Sequence, residues 1–451
     1  MAELVWRGKG RARRRGSVRP LSTDEVHGGG EGAWLNRLVH GEAERVLPGL
    51  AGELAGKVAL VYIDPPFVTG GAFTYLASVP GLPDGTPRVA IPAYADARGI
   101  DAWLAWFHEV ATRLYELLTD GGALYVHLDA HVAHYAKVLL DEVFGGDAFQ
   151  REIIWRIGWV SGFKSRVRGW IRNHDTLLFY AKGGKPATFH KEYIPYPKGY
   201  VRRDGVPPRG PGYPIEDVWN ASELDRMDSI QIVSFSGEKV GYPTQKNESL
   251  VSRVVRASSN PGDVVLDCCA GSGTTPVVAQ KLGRRWIACD ASAVAVHATR
   301  RRLLAMAEVE PFVVQRLGYA ARSSAKVGVR VGVEGQTCTL GLDAFELGAR
   351  GVPAEVRAGV KHWSQWLEGW CVDWEHEQGG PLRSGGRVWR SREGLGLSAS
   401  HVYARPGKRM ALVKVFDVLG GATTQAVPVD VKPPARRNSP GEREPKPEKL
   451  K

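Results

Sequence analysis

The segment that most constrains the fold is a strand, a glycine-rich turn, a helix and a second strand between residues 264 and 290. Residues 264–266 form a short apolar run that ends at Asp267, and the turn 268–275 follows it directly. A helix is predicted over 276–282, and the strand 285–290 again ends in an acidic residue. Two consecutive strands joined by a helix pair in the same direction, so this segment predicts a parallel sheet.

A second apolar run, residues 58–63, reads as a buried parallel strand that ends in Asp64-Pro65-Pro66-Phe67. Further strands are predicted at 123–128, 152–156 and 176–180, and helices at 42–54, 101–118, 130–143 and 248–257. The alternation of strands and helices predicts an α/β domain built on a largely parallel sheet.

The sequence Asp64-Pro65-Pro66-Phe67 has the groups needed to hold an amino group. Two prolines make a stiff turn without backbone donors, which leaves their carbonyl oxygens as acceptors. A carboxylate and a carbonyl that accept both hydrogens of an exocyclic amine would localise its lone pair, and an aromatic ring would stack on the base. An ordinary turn at the end of a strand is the alternative interpretation.

The glycine turn after Asp267 indicates a ligand that contains a ribose. Its glycines allow close backbone approach, and Asp290 lies at the next strand end, where a carboxylate binds both ribose hydroxyls. The turn lacks the three spaced glycines of a dinucleotide site and the Gly-Lys-Ser/Thr of a phosphate loop. S-adenosylmethionine fits this pattern, with Asp267 facing its cationic amino group.

Taken together, these motifs resemble those of the DNA amino-methyltransferases. The chain is similar to the circularly permuted β class, in which the catalytic motif precedes the cofactor motif, and to adenine-specific enzymes and type III modification subunits within it. The matching segments are 36–41, 62–67, 125–129, 152–155, 174–182, 242–246 and 267–275. The resemblance covers about residues 34–305 and implies a Rossmann-like, S-adenosylmethionine-dependent methyltransferase fold with an inserted target-recognition region.

The resemblance also implies roles for individual residues of the catalytic motif. Asp64 and the carbonyl of Pro65 would hold the target amine, Pro66 would complete the turn, and Phe67 would stack on the flipped base. The family usually has tyrosine at the position of Phe67, and phenylalanine keeps the stacking while losing a hydroxyl. Transfer would be direct, without a covalent enzyme intermediate.

The implied cofactor site comes from two further motifs. Its residues are Lys246 at the edge of the cofactor, Asp267, Cys269, Gly271, Gly273 and Thr274 around the pocket, and Asp290 on the ribose. The family commonly has phenylalanine at the position of Cys269, so this chain loses one packing contact with the cofactor.

Residues 189–240 lose their periodicity and interleave basic with aromatic residues, a pattern typical of nucleic-acid contact. We interpret this stretch as a target-recognition insert in which Lys198, Arg202 and Arg203 bind DNA. The alternative interpretation is a surface loop without a role in binding. The net charge of +12 also favours a polyanionic partner.

Composition divides the rest of the chain. Residues 1–30 are predicted to be a disordered basic arm, 31–310 the methyltransferase domain, 311–430 a smaller β-rich accessory domain, and 431–451 a disordered tail. The stretch 401–420 weakly resembles the end of a polycystic-kidney-disease-type β-sandwich. Residues 68–95 are predicted to be a long loop that closes over the substrate.

Four tryptophans in the accessory region, Trp363, Trp366, Trp370 and Trp374, are spaced three or four residues apart. This spacing predicts a helix-like stripe that belongs to the hydrophobic core.

Several classes of protein are disfavoured. The five cysteines have no metal-ligand spacing and favour a reduced intracellular setting, and no metal site is expected. No apolar run approaches the roughly 20 residues of a membrane helix, and the N-terminus lacks a signal-peptide core. We therefore expect a cytoplasmic protein without membrane contact.

The resulting hypothesis is a sequence-specific methyltransferase that acts on N6 of adenine in duplex DNA after base flipping. The alternatives are an N4-cytosine DNA methyltransferase, a catalytically degenerate DNA-binding protein, and an RNA methyltransferase. Asp64 favours adenine, since relatives that act on cytosine more often have serine there. The sequence leaves open whether a separate restriction subunit accompanies the protein and whether the protein forms a homodimer.

Overall fold

The computed structural model describes residues 3–10, 20–30, 32–157, 166, 168–222, 224–225, 227, 238–318, 324–348 and 351–433. Its strands are β1 (Leu21–His27), β2 (Asn36–His40), β3 (Val58–Ile63), β4 (Ala72–Ala77), β5 (Val89–Ala95), β6 (Leu118–Leu128), β7 (Phe149–Arg156), β8 (His174–Ala181), β9 (Tyr193–Pro195), β10 (Gly212–Pro214), β11 (Val218–Trp219), β12 (Val264–Asp267), β13 (Arg285–Asp290), β14 (Phe312–Leu317), β15 (Lys326–Glu334), β16 (Thr337–Glu346), β17 (Leu367–Asp373), β18 (Leu382–Ser384), β19 (Gly386–Trp389), β20 (Ser398–Val402), β21 (Gly407–Asp417) and β22 (Ala422–Val431). Its α-helices are α1 (Ala43–Leu54), α2 (Ile100–Leu117), α3 (Ala133–Phe144), α4 (Glu248–Ser258), α5 (Thr274–Lys281), α6 (Ala293–Leu304) and α7 (Ala354–Gly359).

A large mixed sheet forms the centre of the molecule. Its eleven strands have the order β11-β7-β8-β6-β3-β12-β13-β2-β14-β1-β18. The central strands, from β6 to β14, all pair in parallel with their neighbours. The predicted α/β fold with a largely parallel sheet is therefore confirmed.

Helices cover both faces of this sheet, because its central strands are apolar on both sides. In β3, Val61 and Ile63 pack into one core with α1, α2 and α3. The alternating residues Leu60 and Tyr62 pack into the opposite core with α4, α5 and α6. The carboxyl ends of β3, β12 and β13 consequently emerge side by side between two helical layers.

The C-terminal part is β-rich, as predicted. It contains a three-stranded sheet, β15-β16-β20, and a four-stranded sheet, β19-β17-β21-β22. Leu340 of the first sheet and Val372 and Val413 of the second are buried in one shared core. The remaining strand of this region, β18, pairs instead with β1 at the edge of the large sheet.

The predicted tryptophan helix is wrong, although the predicted burial is correct for most of its members. Residues Trp363–Trp366 form one 3-10 turn, and the following residues, Trp370 included, form strand β17. Trp366, Trp370 and Trp374 are buried. Residues four apart share a face of a strand as well as of a helix, so the spacing does not distinguish the two.

Two other predictions need correction. Residues 68–95 are not a structureless loop, since β4 and β5 pair there as an antiparallel hairpin. Within the predicted disordered arm, β1 forms an ordered strand that pairs with β14, and β14 itself lies beyond the predicted domain boundary at residue 310. Strand pairing therefore orders two segments whose composition looks irregular.

Arg11, Arg13, Arg14 and Arg15 of the basic arm and residues 434–451 of the tail lie outside the described residues. Among the residues described, no helix is both long and apolar enough to span a bilayer.

Candidate active site

Three acidic residues meet at the carboxyl edge of the large sheet. Asp64 follows β3, Asp267 ends β12 and Asp290 ends β13, and these three strands are neighbours. All three side chains line one cavity of about 360 Å³. Parallel pairing therefore brings together motifs that lie more than 200 residues apart in the sequence.

Most of the predicted catalytic and cofactor residues line this same cavity. They are Asp64, Pro65, Pro66, Phe67, Lys246, Asp267, Cys269, Gly271, Thr274 and Asp290. Gly273 lies immediately behind the cavity as the N-cap of α5, with φ of 80°. A Cβ there would approach Oγ1 of Thr299 to 2.5 Å, so the position requires glycine for two reasons.

The turn that carries the catalytic motif is held by a carboxylate that the sequence analysis missed. Asp96 follows β5 and is 2% exposed. Its carboxylate accepts hydrogen bonds from the backbone N–H groups of Phe67, Val68 and Thr69, at 3.1, 2.9 and 3.0 Å. The hydroxyl of Thr69 donates a fourth bond at 2.9 Å. Asp96 thus fixes a turn in which Val68 has a strained φ of 59°.

One carbonyl of the proline pair already has a partner. The indole Nε1 of Trp103 on α2 donates to the carbonyl of Pro66 at 2.7 Å. Pro65 and Pro66 both line the cavity.

Asp64 forms a short ion pair with Lys246. The ammonium Nζ lies 2.5 Å from Oδ2 of Asp64 and 5.4 Å from the centre of the Phe67 ring. The other carboxylate oxygen, Oδ1, is buried and accepts no hydrogen bond from any described residue. A buried oxygen without a partner is costly, which makes Oδ1 a strong acceptor for a ligand N–H.

Backbone groups position the carboxylates of the glycine turn. Asp267 accepts from the backbone N–H of Cys269 at 2.9 Å. Asp290 accepts from the backbone N–H of Gly271 and of Ser292, both at 2.8 Å. Gly271 adopts φ of 51°, which favours glycine at this close approach.

Burial beside two other carboxylates changes the pKa of Asp267. Burial, together with the nearby charges of Asp64 and Asp290, raises the pKa of this carboxyl to about 7, although hydrogen bonds from Thr275 and from the backbone of Cys269 oppose the shift. A cationic ligand group beside Asp267 would reverse this effect by favouring the ionised form.

A buried polar network supports the ring of Phe67 through His127. The ring of His127 stacks on Phe67 with 6.4 Å between centroids. His127 contacts the hydroxyl of Tyr62 through Nδ1 at 2.9 Å and a carboxylate oxygen of Asp175 through Nε2 at 3.2 Å. Burial lowers the pKa of His127, so the neutral ring donates to Asp175 and accepts from Tyr62.

Burial opposes ionisation of Asp175, but its hydrogen bond with His127 lowers the pKa of that carboxyl to about 2. A role for Tyr62, His127 or Asp175 in supporting Phe67 was not predicted from the sequence. The feature that could have indicated this role is their position on three strands, β3, β6 and β8, which are adjacent in the sheet.

The predicted DNA-contacting residues lie outside the cavity. Lys198, Arg202 and Arg203 are exposed in the insert, and Arg202 pairs with Asp204 at 3.1 Å. Close by in the chain, the rings of Tyr196 and Tyr200 stack at 5.0 Å. Residues 223, 226 and 228–237 of the predicted insert lie outside the described residues.

No metal centre is visible in the part of the chain that the structure describes, where no group of three or more His, Cys, Asp or Glu residues is arranged for one. His131, for example, is engaged by Asp129 at 2.8 Å.

Comparison with known proteins identifies relatives for the larger part of the chain. A family model described as DNA methylase matches residues 58–301, which is more than half of the chain. The type II methyltransferase M.EcaI of Enterobacter cloacae is 28% identical over 305 residues, which is 54% of this chain and 64% of that enzyme. The DNA adenine methyltransferase YhdJ of Escherichia coli strain K12 is 25% identical over 284 residues, which is 59% of this chain and 82% of that protein.

Among solved structures, the complex of M1.HpyAVI with SAM is 17% identical, with a TM-score of 0.37. The match covers 59% of this chain and 99% of that one.

Replacing Asp96 by alanine should destabilise the protein strongly, because three backbone N–H groups and one hydroxyl lose their acceptor. We expect the free energy of unfolding to fall by about 3 kcal/mol. Urea denaturation would measure the change. The matched control is Asp84→Ala, which alters an exposed aspartate between β4 and β5. Equal stability of the two variants would contradict the role of Asp96.

The raised pKa of Asp267 predicts a pH dependence of stability. The folded protein retains a proton on Asp267 up to about pH 7, whereas the unfolded chain loses it near its ordinary pKa of 3.8. The free energy of unfolding should therefore fall as pH rises between these values. Asp267→Asn should flatten this fall relative to an Asp84→Asn control, as measured by urea denaturation at several pH values. An unchanged slope would mean that Asp267 is ionised throughout.

Proposed function

Since the chain belongs to the DNA methylase family, we propose that it transfers a methyl group from S-adenosylmethionine to the N6 amine of adenine in duplex DNA. The observation that carries this proposal is the buried, unpartnered Oδ1 of Asp64 beside the ring of Phe67. An acceptor and a stacking surface for an aminated base thus share one cavity with the glycine turn.

The residues of the glycine turn suit the cofactor. S-adenosylmethionine supplies a methyl group activated by a sulfonium centre. Asp290 would accept hydrogen bonds from the ribose hydroxyls, and Asp267 would face the cationic amino group. Backbone bonds to Gly271 and Cys269 already fix the orientation of both carboxylates. Cys269 lines the same cavity and needs no nucleophilic role, because transfer to nitrogen is direct.

The amine is activated by two acceptors. Oδ1 of Asp64 and the carbonyl of Pro65 would each accept one hydrogen, which localises the nitrogen lone pair away from the ring. Phe67, backed by His127, would hold the flipped base by stacking. The nitrogen would release one proton as it gains the methyl group, and the Asp64 carboxylate that accepts its hydrogen bond would take up this proton.

Lys246 lies beside the place that we assign to the amine. Its ammonium binds Oδ2 of Asp64, next to the Oδ1 that would accept from the amine, and it lies over the ring of Phe67 on which the base would stack. Stacking of the base on this face of the ring therefore requires the ammonium to move off the ring. The ion pair also compensates a buried charge while the site holds no base.

Adenine is favoured over cytosine by two features. The chain has Asp64 at the first position of its catalytic motif, and its relative in Escherichia coli is named a DNA adenine methyltransferase. N4 of cytosine is the alternative target, because it offers the same two hydrogens to Asp64 and Pro65.

The basic insert is proposed as the surface that binds the DNA backbone around the target. Lys198 and Arg203 are exposed, and Arg202 is partly neutralised by Asp204. Exposed cations next to paired tyrosine rings suit phosphates and unstacked bases.

The decisive experiment is single-molecule sequencing of genomic DNA from a methylation-free host that expresses the protein. We expect a new modified motif that is absent with Asp64→Ala and retained with Asp147→Ala, an exposed control. The loss should be about a hundredfold or more in rate, because the acceptor of the amine is removed. Asp64→Ala should still bind the cofactor in calorimetry, since Asp267 and Asp290 are intact. A modified motif that persists in Asp64→Ala would refute this assignment, and methylcytosine would favour the alternative.

Removing two cations of the insert should weaken DNA binding and its dependence on salt. Each lost phosphate contact lowers the slope of log K against log salt by about 0.9, so Lys198→Ala with Arg203→Ala should lower it by about 2. The control is Lys326→Ala with Lys408→Ala, which removes equal charge from exposed positions on β15 and β21. Equal slopes for the two double variants would exclude the insert from the interface.

A further inference from the structure

The hairpin β4–β5 forms one wall of the catalytic cavity. Phe73 and Tyr94 line the cavity from this hairpin, and their rings stack with 4.6 Å between centroids. The hydroxyl of Tyr94 contacts Oγ1 of Thr244 at 3.1 Å. Asp96 follows the hairpin directly and fixes the backbone of the catalytic turn. The position of the hairpin therefore determines the position of Phe67.

The same hairpin shares a buried core with the C-terminal sheets. Tyr75, Ala77 and Val89 of the hairpin belong to the same buried core as Trp370 of β17 and Val413 of β21. This hairpin thus contributes side chains both to the catalytic cavity and to the core that includes the C-terminal sheets.

A single glutamine clamps the connection between the two strands of the hairpin. Nε2 of Gln365 donates to the carbonyl of Pro80 at 2.7 Å. Its Oε1 accepts from the backbone N–H groups of Lys361 and His362, at 2.8 and 2.9 Å. A Cβ on Gly81 would lie 2.9 Å from Nε2, so glycine permits this close approach. Gln365 therefore ties the hairpin connection to the start of β17.

The C-terminal sheets are themselves anchored to the methyltransferase helices by buried charges. Glu368 of β17 pairs with His297 and Arg301 of α6, both at 2.8 Å. Burial opposes the ionisation of Glu368, but these two partners hold its pKa near 2. Lys414 of β21 pairs with the buried Glu25 of β1 at 2.6 Å. The C-terminal sheets are thereby a fixed support for the hairpin.

We propose that the C-terminal sheets serve as a brace for the active site, with Gln365 and Asp96 as positioning residues. This inference rests on the proposed function. The brace holds the hairpin through the shared core and Gln365, and the hairpin holds the catalytic turn through Asp96. Removing the clamp at Gln365 should slow methyl transfer without altering the cofactor residues, none of which it contacts.

The test is Gln365→Glu in the full chain. The substitution keeps the size of the side chain and its acceptor for Lys361 and His362, but it replaces the donor to Pro80 with a repelling oxygen. The matched control is Gln425→Glu, on an exposed position of β22. If Gln365→Glu does not fold, Gln365→Met removes the donor without adding charge.

We expect Gln365→Glu to lower kcat by about tenfold through misplacement of the catalytic turn, with unchanged cofactor affinity. Hydrogen exchange at the amides of residues 67–69 should accelerate, whereas Gln425→Glu should match the parent protein in both measurements. Unchanged kcat and exchange in the Gln365 variants would overturn the brace. A parent protein without methyltransferase activity would refute the proposed function instead, and the exchange measurement would still test the brace.

Discussion

The parallel pairing of β3, β12 and β13 is the constraint on which the site depends. Parallel neighbours end at the same edge, so Asp64, Asp267 and Asp290 must share one small cavity. Three carboxylates in a buried space repel one another, and the raised pKa of Asp267 is one consequence of that burial and repulsion. The ammonium of Lys246 is the compensating charge at the Asp64 end. A cationic ligand group would supply the same compensation at the Asp267 end.

The predicted site residues that the structure brings into one cavity lie at the ends of strands or in turns with unusual composition. Asp64, Asp267 and Asp290 follow apolar runs, and the parallel sheet fixes where such ends meet. Asp96 and Gln365 could not be predicted, because each acts on a segment whose position depends on pairing between distant parts of the chain. Local sequence patterns predict where strands end. They do not predict which distant loop a buried carboxylate will bind.

The errors in the predicted fold have the same origin. β1 is short, follows a basic arm and pairs with a strand almost 300 residues away, so composition alone made it look disordered. The hairpin β4–β5 is rich in small residues and turn formers, yet its burial against the C-terminal sheets orders it. In both cases a partner distant in sequence supplies the buried apolar area that the segment lacks by itself.

Lys246 connects the two halves of the site through different parts of the same residue. Its ammonium binds Asp64 at the amine side, while its backbone carbonyl accepts a hydrogen bond from Thr274 at the start of α5, at 2.9 Å. Thr274 is in turn contacted by Arg302 of α6 at 3.1 Å. Lys246 therefore links the carboxylate that follows β3 to the first residue of α5, directly after the glycine turn. The catalytic motif and the glycine turn are thus held together by one residue as well as by the pairing of their strands.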